Sequence, residues 1–152
     1  AMVLEHNDRL VRVGVASNEA LGTYAVEDAF ESEMPTRVLG LDEAGEWLMM
    51  IADNEGVDHP VVSQMAMSRS LQGLAFVDEW CISVRKKKMS QLLLVHEMAH
   101  LVCANGGHGR EFRTQVVTFV RRYVSLAHAV RLHEMYVAAG LSVEPFAATN
   151  SH

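Results

Sequence analysis

Residues 96–100 are His96-Glu97-Met98-Ala99-His100, an HExxH pentad that offers two histidines and a carboxylate within about one helical turn. Side chains four residues apart on a helix point in similar directions, because four steps of about 100° exceed one turn by only about 40°. His96 and His100 could therefore hold one metal ion between them, and Glu97 could reach a water molecule bound to that ion. This arrangement is typical of zinc peptidases, in which the histidines bind zinc and the glutamate is the general base.

The sequence around the pentad predicts a buried helix. Residues 92–95, Leu-Leu-Leu-Val, come shortly before Met98, so the helix is apolar on nearly all sides. Ser90 is a suitable N-cap, and Asn105-Gly106-Gly107 predicts that the helix ends near Cys103 or Ala104. Buried histidines and a buried glutamate cost free energy unless they have partners. The sequence therefore favours a metal site over the alternative, core histidines that bond to the backbone.

A catalytic zinc site needs a third protein ligand and an open position for water. His108 is the best candidate, because it follows His100 after seven residues and the Gly106-Gly107 turn lets the chain fold back. Glu111 could coordinate by its carboxylate, and Cys103 shares the histidine face of the helix. A Cys103 thiolate would make a closed structural site, whereas a cysteine there could also be core filler. An exposed histidine at a helix start is the alternative for His108.

These residues suggest a mechanism as a hypothesis. Zinc lowers the pKa of its bound water to about 7. Glu97 would accept the proton and pass it to the leaving amine. A further donor for the oxyanion could come from Arg110, Tyr136 or His133, and the sequence does not choose among them. The ligand histidines must be neutral, so metal affinity should fall as the pH drops through about 6, and metal binding should stabilise the fold.

The 152 residues predict one α+β domain. Alternating apolar residues predict strands at Leu10–Val15, Thr23–Val26, Val61–Met67 and Leu74–Val84, the last two paired antiparallel. Residues 27–36 are acidic and predict a surface connection, and we assign no chemistry to residues 1–36.

Apolar residues at helical spacing predict three more helices, at 41–53, at 112–123 and at about 126–139. In the second of these, Arg113, Arg121 and Arg122 are expected to lie largely off the apolar stripe. The tail from Glu144 is expected to be loosely held. The sheet should therefore pack on the pentad helix together with two or three further helices.

The net charge of −6 hides an asymmetry between the two halves of the chain. Residues 1–68 carry 3 Lys/Arg and 13 Asp/Glu (3 − 13 = −10), and residues 69–152 carry 10 and 6 (10 − 6 = +4). We expect the halves to complement each other across the fold. An acidic protein is a poor general binder of nucleic acid. Arg85-Lys86-Lys87-Lys88 could still grip phosphates or an acidic peptide, or could simply be a solvated strand exit.

Composition also bounds the location of the protein. No apolar run approaches 18 residues, so no membrane span is expected, and the N-terminus shows no secretory signal pattern. The sequence has two cysteines, which predicts no disulfide framework and a reducing, cytoplasmic location.

The stretch from Trp80 to Phe112 resembles the SprT-like and related minimal zinc peptidases. The shared order is a strand (Cys81-Ile82-Ser83-Val84), the pentad helix, and a loop that leads to His108-Gly109-Arg110-Glu111-Phe112. The sequence is more similar still to a metallohydrolase family of actinobacteria and their phages, whose closing Tyr-x-x-x-Gly is matched by Tyr136 to Gly140.

This resemblance implies a minimal zincin-like domain with zinc on His96, His100 and His108, and with Glu97 as the general base. The domain would span residues 37–143, with residues 1–36 as an extension of it that carries strands and residues 144–152 as a tail. The resemblance implies a hydrolase and names no substrate.

Two functional interpretations follow. The first is a zinc-dependent hydrolase, in particular a metallopeptidase that acts on a peptide or protein, either broadly or on a single repressor. The second is a non-catalytic module on a zincin scaffold, which would bind a phage, host or DNA-associated protein and keep the metal for structure. The intact Glu97 argues for the first, because a purely structural zinc site needs no base.

Overall fold

The computed structural model describes residues 17–104 and 107–146 and shows an α+β fold, as predicted. Within these residues there are five helices, namely α1 (Ser17–Glu33), α2 (Leu41–Glu55), α3 (Gln91–Cys103), α4 (Arg110–Tyr123) and α5 (Leu126–Ala138). The strands are β1 (Val38–Gly40), β2 (Val61–Gln64), β3 (Gly73–Phe76), β4 (Cys81–Val84) and β5 (Lys88–Ser90). The pentad helix therefore has four companion helices, one more than the sequence predicted.

The strands form two small sheets. β1 pairs antiparallel with β5, and the larger sheet has the order β2-β4-β3. The predicted single strand from Leu74 to Val84 is wrong, because β3 and β4 form a tight antiparallel hairpin in which Phe76 faces Cys81. Trp80 ends the turn in the left-handed region, with φ of 55°. The predicted antiparallel pairing of the strand at Val61 is also wrong, since β2 runs parallel to β4.

Helix α3 is buried as predicted, with ten of its 13 residues in the interior. The Ser90 side chain accepts a hydrogen bond from Leu93 N (3.1 Å) and caps its N-terminus. The helix ends at Cys103, and Ala104 follows in the left-handed conformation. It packs against β3 on one side and α4 on another. The three other predicted helices are confirmed as α2, α4 and α5, with bounds shifted by one or two residues.

Helix α1 overturns two predictions. Thr23–Val26 is helical rather than extended, and most of the supposed surface connection at 27–36 belongs to the same helix. The inner face of this helix consists of residues three or four positions apart, all of them buried: Ala20, Thr23, Val26, Glu27 and Phe30. Because a hydroxyl and a carboxylate interrupt this face, the apolar residues alone do not show the helical period. The predicted strand at Leu10–Val15 lies outside the described residues.

The acidic first half and the basic second half do pair across the fold. Arg113 binds Glu19 on α1, Arg131 binds Glu33 at the end of α1, and Arg122 binds Glu55 at the end of α2. These contacts agree with the expectation that the two halves complement each other.

The tail is held at its start, contrary to the prediction. Glu144 N donates a hydrogen bond to Thr114 Oγ1 (3.0 Å), and the Glu144 carboxylate accepts one from Arg110 Nε (2.6 Å). Phe146 lies under the Arg121 guanidinium, 4.4 Å from its central carbon. Among the described residues, none of the helices is long and apolar enough to cross a bilayer.

Candidate metal centre

Three histidines converge in the interior, as the spacing predicted. His96 and His100 project from α3, and His108 lies in the loop just before α4. Each offers a ring nitrogen, and these atoms all lie within 4.8 Å of one another. Nε2 of His100 is 3.2 Å from Nε2 of His108. Three imidazoles are ligands suited to zinc and similar transition metals and not to magnesium or calcium, so this buried group could bind a metal ion.

A carboxylate from α1 orients the first of these rings. Glu27 Oε1 lies 2.6 Å from His96 Nδ1, and Glu27 Oε2 accepts a hydrogen bond from the Tyr136 hydroxyl (2.6 Å). Burial, and then the charge of Glu27, raise the pKa of Tyr136 well above its ordinary value, so the phenol stays a donor. Because a carboxylate only accepts, Nδ1 of His96 carries the proton and Nε2 keeps its lone pair for a metal.

The backbone of the third histidine is fixed by a buried arginine. The carbonyl oxygen of His108 accepts hydrogen bonds from Nη1 of Arg113 and from Thr23 Oγ1 (3.3 Å). Arg113 also donates to Glu19 (2.9 Å) and to the carbonyl oxygen of Ser142 (2.9 Å). The expectation that Arg113 lies off the buried stripe is wrong: its side chain is fully buried and joins α1, α4 and the C-terminal segment at residue 108.

Two aromatic rings enclose the histidines. Phe112 stacks on His100, with ring centroids 4.3 Å apart. On the other side Tyr24 of α1 stacks on His96 (5.4 Å) and is tilted against His108 (4.8 Å). These contacts limit the rotamers of the imidazoles, so the donor atoms are held close together before any ion binds.

Glu97 is buried next to this group and faces strand β3. A Cβ atom placed on Gly73 would lie 3.2 Å from Glu97 Oε2 and 3.3 Å from its Cγ. Glycine at this position therefore gives the Glu97 side chain the room that it occupies. The same carboxylate and His96 line an open cleft of about 590 Å³, bounded on one side by α1 and on the other by the loop at 69–73 and by β5.

The other proposed ligands lie apart from the histidine group. Glu111 is exposed, and among the described residues neither the Glu111 carboxylate nor the Cys103 thiol belongs to the group formed by the three histidines. Burial, and then the charge of Glu111, raise the pKa of Cys103 to about 11, so this cysteine is a thiol rather than a thiolate at neutral pH.

The three proposed oxyanion donors also lie away from the cleft. Arg110 binds the Glu144 carboxylate, and His133 donates to the Glu144 carbonyl oxygen (2.8 Å). Tyr136 is committed to Glu27. The part of the cleft lining that the structure describes includes none of them.

The residues that the sequence analysis missed come mainly from α1. Glu27, Tyr24 and Thr23 all act on the histidine group, although no chemistry was assigned to that segment. The available signal was the spacing of Ala20, Thr23, Glu27 and Phe30, which puts a carboxylate on the buried face of a helix.

Comparisons with known proteins identify no family. No protein-family model matches the sequence, and no significant match to a curated protein or to a solved structure was found.

Proposed function

We propose that this protein is a zinc-dependent hydrolase and that its activity is that of a metallopeptidase. The observation that carries the proposal is the group of three buried imidazoles, within 4.8 Å of one another, beside the buried carboxylate of Glu97. His96 and Glu97 also line the open cleft, with 3% and 1% of their surfaces exposed.

The donor set supports zinc as the metal. His96, His100 and His108 would hold it, and Glu27 behind His96 is the kind of carboxylate partner that zinc-bound histidines typically have. Bound zinc supplies a Lewis acid and lowers the pKa of a coordinated water to about 7.

The residues of the chain supply the remaining chemistry. In the proposed reaction, Glu97 accepts a proton from the attacking water and passes it to the leaving amine. Glu27 keeps His96 in one tautomer, and Arg113 holds the backbone at His108. These contacts would hold two of the three proposed ligands, His96 and His108, in place.

The alternative is a binding module with a structural metal. Structural zinc sites usually have four protein ligands. The described group has three, and a glutamate lies in the cleft beside them. Both features favour catalysis over a structural role.

The order of elements also supports the proposed relationship to SprT-like zincins. Strand β4 precedes the pentad helix α3, with the short strand β5 between them, and helix α4 follows after the loop that holds His108. Membership of that group and of the actinobacterial and phage metallohydrolase family is part of the proposal.

The test compares wild-type protein with Glu97→Gln. Both proteins should contain one zinc per chain by elemental analysis. The variant should lose hydrolysis of a mixed peptide library by roughly 100-fold or more, since general bases typically contribute about 10²–10⁴ in rate. Glu111→Gln removes a nearby exposed carboxylate and is the matched control, which should keep full activity. Normal turnover by Glu97→Gln, or a wild-type protein that takes up no zinc, would refute the proposal.

A further inference from the structure

The cleft beside Glu97 has a cationic wall. Arg69 from the loop before β3 lines it together with Lys86 and Lys88, and all three side chains are exposed. Among the described residues, none of these three cations takes part in an ion pair. The lining as a whole carries both signs of charge, since it also includes four carboxylates, Glu27, Asp28, Glu31 and Glu97. Attraction of an anionic group is therefore confined to this one wall.

The three consecutive lysines, residues 86–88, differ in whether they line the cleft. Lys86 and Lys88 line it and Lys87 does not. Residues 85–87 form a bend, and Lys88 begins strand β5 directly after it. Two cations of the cluster at residues 85–88 are therefore exposed at the cleft. Arg85 has a different role, because its Nε donates to the carbonyl oxygen of Leu71 (3.0 Å).

The opposite wall is formed by α1 and is acidic and apolar. Asp28 and Glu31 line it, and Leu21 lies at its edge with 62% of its surface exposed. A nucleic acid strand carries negative charge along its whole length and would meet these carboxylates. A polypeptide can place acidic side chains on one side only and apolar ones on the other.

We propose that the cleft takes a polypeptide segment whose acidic side chains face Lys86, Lys88 and Arg69 and whose apolar side chains face Leu21. This inference rests on the proposed hydrolase function and specifies its substrate class. The protein as a whole carries a net charge of −6 and repels acidic ligands. The preference for acidic side chains is therefore expected only at the cationic wall of the cleft.

The experiment measures binding without turnover, with zinc-loaded Glu97→Gln protein and three fluorescent decapeptides. The peptides share leucines at alternate positions and carry Glu, Gln or Lys at the others, and a single-stranded decanucleotide is the fourth probe. By anisotropy at low salt, the Glu peptide should bind roughly tenfold more tightly than the Lys peptide, with the Gln peptide between them. High salt should reduce this ratio, since exposed charges are screened.

Charge reversal then locates the effect. The double variant Lys86→Glu/Lys88→Glu should abolish or reverse the preference. Lys87→Glu is the matched control: it changes the charge of the neighbouring residue, which lies outside the cleft, and should leave the preference nearly intact. The inference would be overturned if Lys87→Glu reduced the preference for the Glu peptide by half as much as the double variant does, because each charge reversal would then have the same effect. Equal binding of the Glu and Lys peptides would also overturn it, and so would the absence of binding by either peptide at about 1 mM. Tighter binding of the oligonucleotide than of the Glu peptide would overturn it as well.

Hydrolysis by the wild-type protein, measured in parallel, separates the two proposals. Zinc-dependent cleavage of all three peptides at equal rates contradicts only the acidic preference. Selective binding of the Glu peptide, with no peptide cleaved, contradicts only the hydrolase activity.

Discussion

Glu27 Oε1 lies 2.6 Å from Nδ1 of His96, although 69 residues separate them in the chain. The other oxygen of Glu27 accepts a hydrogen bond from Tyr136, which is 109 residues further on. One buried carboxylate thus connects helices α1, α3 and α5 at the back of the candidate metal centre. Helix α1 itself packs mainly against α5, and it reaches His96 of the HExxH helix through side chains such as Glu27 and Tyr24.

The first prediction follows from this contact. His96 and Tyr136 bind different oxygens of Glu27. In glutamine an NH₂ donor replaces one of these two oxygens, so one of the two contacts loses its acceptor. Glu27→Gln should therefore weaken zinc binding by roughly 10- to 100-fold, which is typical for the loss of a carboxylate behind a metal-bound histidine. Competition with a chromophoric chelator measures the zinc Kd.

Glu33→Gln is the control for that prediction. It removes a carboxylate from the end of the same helix, where Glu33 pairs with Arg131 at the surface. Its zinc affinity should equal that of the wild type. Equal affinities for all three proteins would show that Glu27 does not support His96.

The second prediction concerns the glycine that faces the proposed base. In Gly73→Ala the new methyl group would press on the Glu97 carboxylate and on the carbonyl oxygen of Ser83, which is 3.3 Å away. Because displacement of a catalytic group by even a fraction of an ångström is costly, kcat should fall by roughly tenfold or more while the zinc content stays the same.

Gly45→Ala is the matched control for the glycine. No atom lies within 4 Å of a Cβ at Gly45, which is inside helix α2. Alanine there should keep full activity and should raise the free energy of unfolding by about 0.5–1 kcal/mol, from helix propensity alone. If Gly73→Ala also kept full activity, the tight fit against Glu97 would have no catalytic importance.

The third prediction concerns the arginine that holds the backbone of His108, the proposed third ligand. Arg113→Met removes the donors to the carbonyl oxygens of His108 and Ser142 and the ion pair with Glu19. We expect a loss of roughly 3 kcal/mol in the free energy of unfolding, since buried charge-assisted hydrogen bonds are lost, together with weaker zinc binding.

Arg131→Met tests whether this effect is specific. It also breaks an ion pair with a glutamate of α1, but at the surface, where such pairs contribute about 0–1 kcal/mol. Urea denaturation and zinc competition should therefore separate the two variants clearly. Similar losses in both would mean that Arg113 contributes no more than a surface charge.

The sequence predicted the parts of the fold whose signals are local. Helices α2 to α5 have apolar stripes and clear ends, such as the Ser90 cap and the glycine after α2. Helix α1 was missed because Thr23 and Glu27 occupy its buried face. The β3–β4 hairpin was missed because two short apolar strands joined by a tight turn look like one longer strand.

The same distinction holds for the candidate site. The spacing of His96, His100 and His108 is local, so the sequence could place them on one helix and the following turn. The contact between Glu27 and His96 depends on how α1 packs, and no local pattern encodes a pairing over 69 residues. Arg113 was expected largely off the apolar stripe of its helix, and its burial depends on partners from two distant segments, α1 and the chain at Ser142.

The last prediction concerns pH and lies outside the metal centre. Tyr123 at the end of α4 donates a hydrogen bond to Glu55 at the end of α2, which also binds Arg122. Burial first, and then Glu55, raise the pKa of Tyr123 to about 12, against about 10 in the unfolded chain. A raised pKa means that the folded state holds the proton more tightly, so the stabilisation is complete below about pH 10 and is lost as the pH rises towards 12.

Tyr123→Phe lacks this proton, so the wild type should exceed it in free energy of unfolding by roughly 1 kcal/mol at neutral pH, after allowance for solvent screening. The difference should shrink above about pH 10 in urea titrations from about pH 8 to about pH 11.5, and the tyrosinate absorbance of the folded wild type should show one late-titrating group that Tyr123→Phe lacks. A difference that stays constant across this range would show that Tyr123 ionises with its ordinary pKa and that Glu55 does not hold it.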